Sequence, residues 1–130
     1  MRLEYIAAGA RPEFPVLLIF DANPHDIFQI INPIKAIIRG TADNFPLHSI
    51  PEVKSIGECK IFLKHTLGNN SFDRIKPAYH FSWNQTRENW SVIVEKLKPL
   101  TTESNKVNSI ILESNQDISF IVTNNKEMDW

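Results

Sequence analysis

The chain predicts an α+β fold, a two-layer sandwich in which a mostly antiparallel sheet carries two helices packed on one face. Three observations carry that prediction. An apolar run, Val16-Leu17-Leu18-Ile19-Phe20, passes straight into a capped helix start at Asn23-Pro24. The same layout returns 63 residues later, where a strand ending in Trp83 leads to a cap at Thr86 and a helix opening on Trp90. Finally, two apolar segments, Val107–Glu113 and Asp117–Thr123, flank Ser114-Asn115-Gln116 as the arms of a hairpin do.

Taken in order, Leu3, Tyr5 and Ala7 alternate with other residues and predict a first strand, closed by a turn over Gly9 to Pro12. Val16–Phe20 has no polar position, the pattern of a strand covered on both faces near the centre of a sheet. Asn23 is the N-cap of the first helix, with Pro24 at its first position and Asp26 in its first turn. Ile27, Ile30, Ile31, Ile34 and the Ile37/Ile38 pair recur at helical spacing and form the buried stripe. Pro33 removes a backbone donor on the polar side and predicts a kink there.

After a loop over Gly40 to Pro46, Leu47–Ile50 reads as a short edge strand stopped by Pro51. Cys59, Ile61, Leu63 and His65 alternate through a half-buried strand, and Leu67–Ser71 has turn chemistry. Tyr79, Phe81 and Trp83 share one face of the next strand. Trp90, Ile93, Val94 and Leu97 form the stripe of the second helix, which Pro99 helps to end. The polar residues from Asn124 lead to a terminal Trp130.

At a constant offset of 63, Phe20 matches Trp83, Asn23 matches Thr86, and Ile27, Ile30, Ile31 and Ile34 match Trp90, Ile93, Val94 and Leu97. Identity between the segments is nearly absent. The shared pattern fits an internal pseudo-repeat, and equally any two strand–turn–helix units.

The 130 residues make one domain, 1–130, large enough to bury a core without disulfides. Fourteen basic side chains against fifteen acidic ones leave no footprint for a phosphate backbone, so no nucleic-acid partner is expected. One cysteine, Cys59, excludes an internal disulfide framework and a thiolate zinc cage. No apolar run approaches the length of a membrane span, and residues 1–10 do not read as a secretory signal, so a cytoplasmic protein with no membrane partner is expected.

Candidate chemistry is sparse. Cys59 shares a strand face with Ile61 and Leu63, where a buried, inert thiol sits. His25, His48, His65 and His80 show no metal-ligand spacing, and neither a glycine-rich phosphate loop nor a nucleophile elbow occurs, so no catalytic residue, metal or cofactor is assigned. Asp21 lies between a buried strand and a helix start, where it can serve a pocket or bond free amides. Tyr79, Phe81 and Trp83 could stack bases on an open sheet, but two apolar helices need that face and only Arg74 and Lys76 are near.

The segments Arg11-Pro12-Glu13-Phe14-Pro15 and His80-Phe81-Ser82-Trp83, each leading towards a helix, and the terminal strand with Ile118, Phe120 and Val122, make a layout that resembles small uncharacterised bacterial proteins, some of them immunity-protein-like. That resemblance implies a protein that binds and blocks a toxin and carries over no functional residue. The expected function is therefore a non-enzymatic protein-binding domain acting by occlusion. Its expected contact residues are Trp130 with Asp129 and Glu127, and the loop carrying Asn69, Asn70 and Asp73. The alternative is a small-ligand site, or an enzyme, between the helix starts and the sheet, using Asp21, His80 and His65. A homodimer through an edge strand is a third arrangement, opposed by Lys60 and Lys64.

Overall fold

A computed structural model describes residues 1–7, 15–75, 78–102, 107–114 and 118–126. The chain runs β1 (Arg2–Ile6), β2 (Val16–Phe20), α1 (Pro24–Arg39), β3 (Asn44–Pro46), a 3₁₀ turn (Leu47–Ser49), β4 (Lys54–Ser55), β5 (Lys60–His65), β6 (Ser71–Ile75), β7 (His80–Gln85), α2 (Arg87–Leu97) with a 3₁₀ extension (Lys98–Thr101), β8 (Ser109–Ser114) and β9 (Ser119–Thr123). Among the described residues no helix is long and apolar enough to cross a membrane.

Both helices start where their side-chain chemistry places them. Asn23 Oδ1 accepts from the Asp26 amide at 2.8 Å, and the Asp26 carboxylate accepts from the Asn23 amide at 3.0 Å, a reciprocal box that satisfies two donors of the first turn. Thr86 Oγ1 accepts from the Asn89 amide at 3.2 Å. Gly40 ends α1 in the left-handed region at φ 80, its amide bonded back to the last turn. Pro33 falls within the assigned span of α1.

The strands form two mixed sheets, not one mostly antiparallel sheet. The first has the order β4-β1-β2-β9-β8 and the second β3-β5-β7-β6. The pairs β1–β4, β2–β9 and β5–β7 are parallel. Strand patterns state which residues alternate, but not which partner a strand finds, and the strands of each parallel pair are separated by other elements, as β5 and β7 are by β6. Leu47–Ser49 is a 3₁₀ turn, and the edge strand lies just before it at Asn44–Pro46. β6 emerges from a stretch whose polarity suggested a loop, since Phe72 is its one buried position. A tight turn at Ile56–Cys59, with Gly57 and Glu58 both left-handed, carries the chain from the first sheet to the second.

The topology is a repeat with exchanged strands. The series β1-β2-α1-β3-β5 is matched by β6-β7-α2-β8-β9, with β4 inserted in the first. Each sheet joins the leading antiparallel pair of one half to the trailing pair of the other. Leu17 and Ile19 lie opposite Phe120 and Val122, as Phe81 and Trp83 lie opposite Ile61 and Leu63. The offset of 63 holds through the helices: their first residues are Pro24 and Arg87, and the buried Ile37 is matched by the buried Leu100. It slips by one in the strands. Ile19, not Phe20, takes the core position of Trp83, because the first unit has one more residue before its cap. Asp21 absorbs that residue at φ 55.

One core unites the molecule. The helix stripes join Leu3, Leu17, Ile19, Phe120 and Val122 of the first sheet and Ile61, Leu63, Phe81 and Trp83 of the second. Aromatic rings bridge the sheets directly, with Phe120 5.0 Å from Trp83 and 5.6 Å from Phe72 between centroids. On the other face of β2, Val16, Leu18 and Phe20 form a smaller cluster with Ile6, Ile56 and Ile121. This is why β2 is apolar throughout.

Candidate functional site

The residues that the sequence marked for chemistry are dispersed. Cys59 is fully buried, and burial pushes its thiol up to about 12, with the Glu4 carboxylate adding to the effect. A thiol so placed is not a nucleophile at neutral pH. Asp21 lines a shallow cleft with Ala22, Asn23, Pro24 and Leu100. Its carboxylate is 4.0 Å from the Arg2 guanidinium, and the amides at the helix start are capped by Asn23 instead. His65 lines a second cleft with Thr66, Thr86, Arg87 and Glu88. His80 lines a third. Asp21, His65 and His80 thus face three different clefts.

The expected contact loop is divided between scaffold and surface. Asn70 Oδ1 accepts from the Thr86 amide at 2.8 Å, so it ties the start of β6 to the cap of α2. Asn69 is exposed, and Asp73 is exposed on β6 opposite Ser82. Glu127, Asp129 and Trp130 lie outside the described residues.

Two groupings come from the fold itself. The first sits at the rim where the sheets diverge. Tyr5 and Tyr79 stack with centroids 5.2 Å apart, and the Arg74 guanidinium caps both rings at 5.0 and 4.8 Å. Arg74 Nε also donates to the Ala78 carbonyl at 3.4 Å. Tyr79 is 46% exposed and Ile75, on the opposite face of β6, is 48% exposed. The expected aromatic face of β7 therefore divides: Phe81 and Trp83 are core, and Tyr79 is surface. β6 ends the order of its sheet, so its outer backbone edge carries no strand among the described residues.

Comparison with family models, with curated proteins and with solved structures finds no match to this chain. Its chemistry is therefore read from its own residues.

The second grouping is the His80 cleft, about 490 Å³ in volume, on the solvent side of the second sheet. Lys60 and His80 are register partners on β5 and β7, so both side chains leave the same face. The 3₁₀ turn brings His48 over Phe62, ring edge against ring at 5.0 Å, and His80 approaches the same ring at 6.5 Å. His48 Nδ1–H donates to the Ile61 carbonyl at 3.3 Å, and Nε2 is the ring nitrogen without a partner among the described residues. Burial lowers the His48 pKa, the bond to Ile61 opposes this, and the charges of Lys60 and His80 lower it further. Ser55, Glu58 and Ala78 complete the lining in front of Cys59. Among the described residues no three His, Cys, Asp or Glu side chains gather where they could hold a metal ion.

A sequence signal existed for part of this. Lys60, Phe62 and His80 alternate with core residues, so each must face outward. Their meeting depends on the parallel β5–β7 register and on His48 arriving from a turn, and neither has a local signature.

Proposed function

We propose that the protein is a non-enzymatic binding domain that works in the cytoplasm by covering a surface of a protein partner. The observation that carries this reading is the Tyr5–Arg74–Tyr79 cluster at the edge strand β6. Tyrosine and arginine are among the side chains most enriched where interfaces concentrate their binding energy. Asp73 and Ile75 are exposed on the opposite face of the same strand, whose outer backbone edge carries no strand among the described residues and can add one from a partner. The resemblance of the sequence layout to immunity-like proteins supports the partner class, a toxin whose working surface is occluded.

The test is affinity capture with the full chain as bait, read by mass spectrometry. A stoichiometric protein retained by the unaltered chain and lost with Arg74→Ala or Tyr79→Ala supports the reading. Val92→Ala, at an exposed position on α2, serves as the control. A partner held equally by every variant removes this patch from the interface.

A further inference from the structure

The cleft on the open face of the second sheet brings together one ammonium and two imidazoles beside a single exposed carboxylate, and the protein-binding reading uses none of them. Lys60 supplies a fixed ammonium, and His48 and His80 supply two imidazoles around the same space. The charges that act on His48 are those of Lys60 and His80, and both oppose its protonation. Glu58 is the carboxylate in the lining, exposed at the lip, and Glu4 acts on Cys59 behind the wall. Like charges gathered in a concave, partly desolvated place raise the local affinity for a counter-ion. The donors also suit a compact oxyanion: an ammonium, a ring nitrogen at His48 that becomes a donor on protonation, the His80 ring and the Ser55 hydroxyl. Phe62 packs edge to face with both imidazoles and helps to hold them at the cleft.

We infer that this cleft binds a phosphate group, either the free ion or the head of a small phosphomonoester, with Lys60 as the fixed charge and His48 and His80 as donors in their protonated forms. A carboxylate presents two oxygens in one plane and engages fewer of these donors. The His48–Ile61 bond holds the imidazole in place whether or not Nε2 carries a proton, so the site is organised before the anion arrives.

The experiment is NMR titration of the histidine side-chain signals of the full chain at about pH 6, where imidazoles protonate. Inorganic phosphate, phenyl phosphate, sulfate and acetate are compared at matched ionic strength. Saturable shifts of His48 and His80 with the tetrahedral anions, not with acetate, are expected, together with a rise in the His48 pKa. Lys60→Gln and His48→Asn should each weaken phosphate about tenfold. The Asn side chain keeps a donor for the Ile61 carbonyl, so that variant retains the turn. Glu58→Gln should tighten binding. Sulfate stays doubly charged throughout this range, and its affinity should fall as the pH rises to about 8. Tighter binding of phenyl phosphate assigns the ester, and equal or weaker binding assigns the free ion. Shifts that grow linearly with salt, or equally in acetate, overturn the proposal. So does saturable binding that Lys60→Gln leaves unchanged in a chain with an intact spectrum.

Discussion

Trp83 and Trp90 meet edge to face where β7 turns into α2, their ring centroids 4.8 Å apart. Both are buried, but their indole nitrogens are not equivalent. Trp90 Nε1 donates to the Lys64 carbonyl at 3.2 Å, and Trp83 Nε1 has no partner among the described residues. Either Trp→Ala change should cost about 3–5 kcal/mol. The Trp→Phe changes should differ, with Trp90→Phe losing about 1 kcal/mol more because it removes an indole hydrogen bond that Trp83 does not make. Urea unfolding of the two variants measures that difference.

Gly40 closes α1 at φ 80, and a Cβ added there would lie 3.2 Å from the Arg87 guanidinium at the start of α2. Gly40→Ala should therefore destabilise by about 1 kcal/mol for the backbone, and by more if Arg87 cannot move. Gly57→Ala, at φ 65 with open space around it, meets only the backbone cost. Thermal unfolding should rank Gly40→Ala as the more damaging.

Asp21 and Glu58 are the non-glycine residues with left-handed backbone among the described residues, at φ 55 and 58. Replacement by glycine relieves that conformation. Glu58→Gly should raise stability by up to about 1 kcal/mol, offset by the added freedom of the unfolded chain. Asp21→Gly should behave alike, because the ion pair it removes is at 4.0 Å between exposed groups and contributes little. A lower denaturation midpoint in both would contradict the strain argument.

His48 adds a dependence on acid. Burial lowers its folded-state pKa below the ordinary 6.5, so the native state takes up a proton less readily than the unfolded chain. Its contribution to stability is present above about pH 6.5 and is lost as pH falls through the lowered pKa. Removing the imidazole with His48→Asn should flatten that part of the stability profile. An unchanged slope between neutral and mildly acidic pH would show that His48 is not responsible.

Much of the local structure was legible in the residues. Asn23 and Thr86 cap the helices they were expected to cap, and the isoleucine stripe and its Trp90–Leu97 counterpart are buried as their spacing requires. Strand identity was legible wherever apolar residues alternate or run without a break. β6 was not, because its second inward position is Arg74, which leaves the core at the rim and stacks on tyrosines instead of packing on aliphatics. The one-residue slip between Phe20 and Trp83 was hidden for another reason: periodicity fixes a face only until a left-handed residue such as Asp21 intervenes. The pairing of strands into two sheets, and with it both surface groupings, depends on contacts between residues far apart in the chain. Alternation carries no record of those.

The exchanged strand pairs decide when this protein can fold. β2 must wait for β9 and β7 must find β5, so neither half closes a sheet from its own residues. The β2–β9 pairing spans most of the chain and slows the search for the native state. A chain cut in the turn between His65 and Ser71 should give two fragments that are unfolded alone and regain the native circular dichroism spectrum when mixed. On the ribosome, the first sheet stays open along β2 until the last strand has been made, which places the folding of this domain after its synthesis.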